Sequence, residues 1–203
     1  MSLCKRTPLL YANKKHCQPW NEMKFYNLKS YYIVTDIIEH QKQKQKFLDL
    51  IEEMPSSNIS NGFDNISKTD WNLPKEQERK YLDEFYKIII PYMNDMAKKL
   101  KCKRWNIDNG WFQVYDNKNT HQWHVHEKSN YTNVYYLHLP NNSIKTEVYD
   151  VTTGKIIDDL EVKEGQVLTL PASAIHRSPE NKTNHKKIVI AFNSNFDEVD
   201  LTI

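Results

Sequence analysis

Residues 113–137, QVYDNKNTHQWHVHEKSNYTNVYYL, decide how this chain is read. Two runs of strand composition, residues 111–115 and 132–139, flank His121, His124 and His126. Side chains two apart on a strand point to the same side, so His124 and His126 project together while Trp123 and Val125 face the other way. Two imidazoles converging from one strand are half of a metal site. The other half must come from elsewhere in the chain.

Toward the C-terminus the β texture continues. Residues 123–126, 144–149, 156–162, 166–170 and 187–192 each read as strands, punctuated by turns such as Thr153 with Gly154 and Glu164 with Gly165. Short strands in succession with no helix between them predict an antiparallel sandwich or jelly roll.

Toward the N-terminus the period changes to helical. A first helix is predicted from Asp36, a plausible N-cap with Glu39 three residues on. Phe47, Leu50, Ile51 and Met54 form its buried stripe, and Pro55 stops it. A second runs from Pro74 to Lys101, with Leu82, Phe85, Ile89, Met93, Met96 and Leu100 on one face. Pro91 is expected to kink or divide it. Residues 31–35 have strand composition. The polar, Asn/Ser-rich residues 56–70 read as a mobile loop, a candidate lid. Residues 1–24 read as an extended arm packed by Leu9, Leu10 and Trp20.

The fold class is therefore α+β, mainly β: a jelly roll with helices covering one sheet. Residues 1–203 are expected to form a single domain, with arm and supporting helices over 1–104 and the β core over 105–203.

Composition bounds the function. Twenty-eight basic against 26 acidic side chains leave a net charge of +2, without the strong basic bias of an obligate nucleic-acid binder. Cys4, Cys17 and Cys102 match neither a disulfide framework nor a zinc pattern. No segment reads as a signal peptide or a membrane span, and a reducing cytoplasm is the default expectation.

A third metal ligand should come from a later strand, and His138, His176 and His185 are the candidates. His138 lies on a predicted strand at a spacing that suits a packed or exposed position, and His185 sits in a polar loop. His176 follows LTLPASAI, where Pro171 ends a strand near the sheet end.

These residues resemble the 2-oxoglutarate/iron(II)-dependent oxygenases, especially the prolyl-hydroxylase-like branch and its small phage-encoded members. The resemblance covers residues 105–196 in detail. The family run Y-x-x-G-x-x-Y-x-x-H-x-D corresponds to Tyr115, Lys118, His121, His124 and His126 at identical spacing. The pattern EG-x-x-x-x-x-P-x-x-x-x-H is met by Glu164, Gly165, Pro171 and His176, and KIVIAFN from Lys187 is similar to the family ending R-I-x-I-x-F-N.

The resemblance implies a double-stranded β-helix (jelly roll, cupin-like) and an enzyme using Fe(II), 2-oxoglutarate and dioxygen to hydroxylate an unactivated C–H bond. It implies His124 and His176 as iron ligands. His126 stands where the family has Asp or Glu, so a neutral imidazole would replace an anionic oxygen; Glu127, its neighbour, points to the other strand face. For the cosubstrate carboxylate, Lys186 and Lys187 both lie at family spacing. Alternation favours Lys187, which shares a face with Val189, Ala191 and Asn193. Tyr136 and Tyr115 match cosubstrate-binding tyrosines, and each also suits plain packing. His121 could bond cosubstrate or substrate, or be a surface loop residue. Arg177 and Asn193 could line the pocket, while Trp111 and Trp123 read as core.

The implied substrate is a protein or peptide side chain, with a small molecule open, nucleic acid less favoured and no membrane partner. A phage-encoded member would work in the host cytoplasm. Two other readings stand beside it: a three-His cupin-type dioxygenase that does not use 2-oxoglutarate, and a jelly roll without catalysis.

Overall fold

A computed structural model describes residues 31–140 and 144–200, so the expected arm over residues 1–24 lies outside the described residues. Strand-forming alternation builds two antiparallel sheets. The larger has seven strands in the order β1-β9-β6-β11-β4-β3-β2 and the smaller four, β5-β10-β7-β8. These are β1 (Ile33–Asp36), β2 (Ser57–Ser60), β3 (Asn65–Thr69), β4 (Arg104–Tyr115), β5 (His121–His124), β6 (Tyr131–His138), β7 (Glu147–Asp150), β8 (Lys155–Ile157), β9 (Gln166–Pro171), β10 (His176–Ser178) and β11 (Lys187–Asp197). The two sheets make a double-stranded β-helix.

Period-two alternation on the central strands sorts two cores. Phe112 and Val114 of β4, Tyr135 and Leu137 of β6, and Ile190 and Phe192 of β11 face helices α1 (His40–Glu53) and α2 (Lys80–Lys99). There they meet Phe47, Ile51, Phe85, Ile89 and Met93. The alternate residues Tyr115, Tyr136 and Val189 join Leu168, Leu170 and Leu160 in the second cluster. The helices thus cover one face of the large sheet and leave its other face to the barrel interior.

Four local expectations are corrected. Asp36 does not cap α1: it ends β1, opposite Gln166 of β9, and its carboxylate accepts from Gln166 Nε2 at 2.8 Å. The helix begins at His40, and Glu39 accepts instead from Tyr92 Oη of α2 at 2.7 Å. Pro74 lies in a turn before α2, which starts at Lys80. Pro91 neither divides nor ends α2, which runs 20 residues through it; its ring sits on the exposed side while Phe85, Ile89, Met93 and Met96 hold the other. An interior proline costs a helix about 3 kcal/mol, a cost that this buried stripe offsets.

Residues 56–70 are not an open loop. They fold as the β2–β3 hairpin, turned over Gly62 at φ +85°, and β3 pairs with β4 at Lys68–Val114 and Thr69–Gln113. The large sheet therefore takes β1, β2 and β3 from the segment expected to supply the arm and helices. No helix among the described residues is long and apolar enough to cross a membrane.

Glu164 ties α1 to the barrel. It accepts from Lys44 Nζ at 2.6 Å, His138 Nδ1 at 3.1 Å and the Leu139 amide at 2.9 Å. Gly165 follows at φ +85°, and a Cβ there would lie 2.9 Å from the buried His40 ring.

Candidate metal centre

Strand pairing assembles the three histidines. In the small sheet His176 of β10 lies opposite His124 of β5, with Val148 of β7 on its other side. His126 follows β5, and its backbone amide is fixed by Ala172 O at 2.9 Å. One ring nitrogen from each of His124, His126 and His176 lies within 4.8 Å of the others. The His126 and His176 rings are nearly parallel, 7° apart in plane with centroids 5.2 Å apart.

Backbone carbonyls set two of the rings. Nδ1–H of His124 donates to Gln122 O at 2.7 Å, and Nδ1–H of His176 donates to Ala174 O at 2.8 Å. Each contact places the proton on Nδ1 and leaves the Nε2 lone pair for a metal, the arrangement second-layer acceptors give metal-bound imidazoles. Burial keeps all three rings neutral. It lowers His124, and with neighbouring imidazoles it brings His126 to about 4 and His176 to about 3. Three neutral nitrogen donors in a pocket are a fitting set for a divalent transition metal. Among the described residues no carboxylate joins the group.

His121 is buried, not a surface loop residue. Its ring stacks on His124 with centroids 4.0 Å apart, and Gln113 Nε2 donates to its Nδ1 at 3.4 Å. The other nitrogen faces Asp64 Oδ1 at 4.0 Å. Asp64 comes from the β2–β3 turn and also accepts from the Gln122 amide at 2.9 Å, so the hairpin braces β5.

Across the cavity stands Lys187, only 1% exposed. Its Nζ donates to Ser178 Oγ at 2.8 Å and lies 4.9 Å from the Tyr115 ring centroid and 5.8 Å from that of Tyr136. Burial pulls its pKa down to about 7, and the carboxylate acting on it, Glu147, is held by Arg177 Nε at 2.6 Å. Lys186 takes the opposite direction. It is 60% exposed with Nζ 3.9 Å from Asp116, so it cannot serve the cavity as an anchor.

Both tyrosine hydroxyls are used within the protein: Tyr115 donates to Gln113 Oε1 at 2.9 Å and Tyr136 to Thr146 Oγ1 at 2.7 Å. Trp111 is buried as expected of core, yet it lines the cavity and stacks on His126 with centroids 6.0 Å apart. Trp123 is half-buried, not core, and carries the Arg177 guanidinium 4.4 Å over its ring; Arg177 also reaches the cavity wall. Asn193 does not line this cavity but an adjoining cleft. Gln113, Thr146 and Ser178 were missed in the sequence. Gln113 had a signal, two residues before Tyr115 on the same face; Thr146 and Ser178 arrive by long-range pairing.

The cavity is tight, with about 30 Å³ free between His124, His176, Lys187 and the tyrosines. The donor set fits a metal, and an enclosed ammonium bonded to no carboxylate among the described residues fits an anionic ligand that displaces its Ser178 contact.

No protein-family model matches this sequence, and no curated protein matches it. Solved structures do resemble the fold. The viral collagen prolyl hydroxylase of Paramecium bursaria Chlorella virus-1, in its 2-oxoglutarate complex, aligns with TM-score 0.52 at 16% identity over 81% of this chain and 95% of its own. HygX of Streptomyces hygroscopicus, with nickel and 2-oxoglutarate bound, aligns with TM-score 0.63 at 10% identity over 83% and 84%. A Pseudomonas putida prolyl-4-hydroxylase aligns with TM-score 0.57 at 10% identity over 81% and 92%. At these identities the likeness is one of fold.

Proposed function

We propose that the chain is an Fe(II)- and 2-oxoglutarate-dependent dioxygenase that hydroxylates a C–H bond on a protein or peptide side chain. The observation that carries this reading is the pairing, in one cavity of a double-stranded β-helix, of three neutral imidazoles with a buried lysine that has no carboxylate partner among the described residues. The similar structures solved with 2-oxoglutarate, and with nickel and 2-oxoglutarate, support it.

His124, His126 and His176 would hold the iron through ring nitrogens, leaving sites open for ligands. When bound, the iron couples decarboxylation of 2-oxoglutarate by dioxygen to insertion of one oxygen atom into the substrate C–H bond, with succinate and carbon dioxide released.

The remaining work belongs to the chain. Lys187, leaving Ser178, binds the distal carboxylate as a point charge. The rings of Tyr115 and Tyr136 wall its ammonium from water, and a low-dielectric wall strengthens that ion pair. The Gln122 and Ala174 carbonyls keep the protons of His124 and His176 on Nδ1. Trp111 covers the His126 ring.

A three-His dioxygenase with no 2-oxoglutarate would have no use for a buried cation facing its metal. The test is succinate release by the full chain with Fe(II), 2-oxoglutarate and dioxygen. Release that requires His124 and His176 is expected; an iron-loaded chain that does not bind 2-oxoglutarate would overturn the reading.

A further inference from the structure

Beside the metal cavity lies a second cleft of about 760 Å³, walled by Trp71, Leu73, Tyr86, Gly110, Trp111 and Asn193 among others. Trp111 belongs to both spaces. Trp71, 47% exposed, stacks on Trp111 with ring centroids 5.6 Å apart and planes 19° apart, and Trp111 in turn stacks on His126. A row of stacked rings thus runs from solvent at Trp71 through Trp111 to His126.

Its floor is an unfinished sheet edge. β3 covers β4 only at Val114 and Gln113. One step further, side chains replace the missing strand: the Phe112 amide donates to Asp70 Oδ1 at 2.9 Å, and the Phe112 carbonyl accepts from Thr69 Oγ1 at 2.7 Å. Phe112 therefore turns both backbone groups away from β11. Antiparallel strands alternate in this respect with period two, so Gly110, opposite Phe192, turns its N–H and C=O the same way, into the cleft. Neither group has a partner among the described residues.

We propose that this cleft takes an extended peptide segment, which pairs through its backbone with the open edge of β4 at Gly110 and packs a side chain on Trp71. A peptide unit carries both a donor and an acceptor at strand spacing, which matches the N–H and C=O that Gly110 leaves open at the strand edge. Charge argues the same way. The lining holds Lys75, Arg79 and Lys128 against Asp70, Asp108 and Glu127, with Arg79 bonded to Asp70 at 2.9 Å, a balance unsuited to a phosphate backbone. This inference rests on the oxygenase reading only for what happens to the side chain that reaches the iron.

The test is binding, independent of turnover. The ¹⁵N-labelled full chain is titrated with a random pool of acetylated, amidated hexapeptides, with the same pool N-methylated at alternate backbone nitrogens, and with a random single-stranded oligonucleotide pool. The expected result is movement of the Gly110 amide and Trp111 indole resonances, with slowed exchange at Gly110, by the first pool alone. Trp71→Ala should weaken that binding about tenfold. Equal binding of methylated and unmethylated pools, a response to oligonucleotides instead, or a Gly110 amide already protected in the free chain would each overturn the proposal. Succinate release is assayed in parallel: its absence with peptide binding intact would count against the oxygenase reading and leave this cleft assigned.

Discussion

The Lys187 ammonium donates to the Ser178 hydroxyl at 2.8 Å, inside a wall of Tyr115 and Tyr136, where a carboxylate partner would be the ordinary companion of a buried cation. Replacing it with an apolar chain of similar length removes the desolvated charge and the proposed anion anchor together. Lys187→Met is expected to leave the chain as stable or stabler by about 1 kcal/mol or more, while 2-oxoglutarate affinity falls at least tenfold. Thermal denaturation and isothermal titration check the two halves separately.

The same lysine sets a pH dependence. Its pKa is depressed by burial to about 7 from the ordinary lysine value of 10.5, so between these values the unfolded chain holds a proton the folded chain has released. Stability of the ligand-free protein should therefore rise with pH through this window, on the order of 1 kcal/mol per unit. The slope should vanish in Lys187→Met, and affinity for 2-oxoglutarate should fall as pH climbs past 7. Melting temperatures at pH 7 and 9 for both proteins decide it.

Metal binding by His124, His126 and His176 should survive mild acid. Burial and mutual repulsion hold His126 near 4 and His176 near 3, well under an ordinary imidazole, so protons compete only at low pH. Cobalt(II) retention down to about pH 5 is expected by equilibrium dialysis, with His124→Ala and His176→Ala losing it at any pH. His126→Asp, which restores a carboxylate, should keep the metal; loss there would mean that this backbone fits only an imidazole.

Gly165→Ala is expected to destabilise by about 2–3 kcal/mol, combining a left-handed φ with crowding of a packed ring. The added Cβ would lie 2.9 Å from His40 Cδ2 at φ +85°. Urea denaturation measures the loss, and His40→Ala in the same chain should recover part of it.

Asp70 is fully buried and holds Arg79 Nε, Tyr81 Oη and the Phe112 amide. Asp70→Ala strands a partly buried guanidinium and a backbone donor, at a cost of about 3–5 kcal/mol. A midpoint shift smaller than that of Gly165→Ala would show this network to be dispensable.

Much of the fold and part of the site could be read from residue order because alternation is local. Strict period two placed His124 beside His126, and Lys187 on the face of Val189 and Ala191. The helices were legible from their stripes, but their starts were not: Asp36 and Glu39 have the spacing of a cap, and pairing with Gln166 and Tyr92 outweighs it. The β2–β3 hairpin stayed hidden because Ser, Asn and Lys dominate it, with Ile59 and Ile66 as its thin apolar signal. Asp64 beside His121, Thr146 on Tyr136 and Ser178 on Lys187 depend on strand pairing, which no local pattern encodes.

Among the described residues no carboxylate joins the three imidazoles, which bears on which ion the proposed site would hold once the protein is isolated. Nitrogen donors alone give little preference for ferrous iron over nickel, copper or zinc, and raw affinity rises along that series toward copper. Supply, then, fixes the occupant. Protein isolated on nickel resin or in zinc-bearing buffer should arrive loaded with a metal that fills the same three nitrogens and is inert, so that a silent preparation records its handling history until it is stripped and reloaded under anaerobic iron.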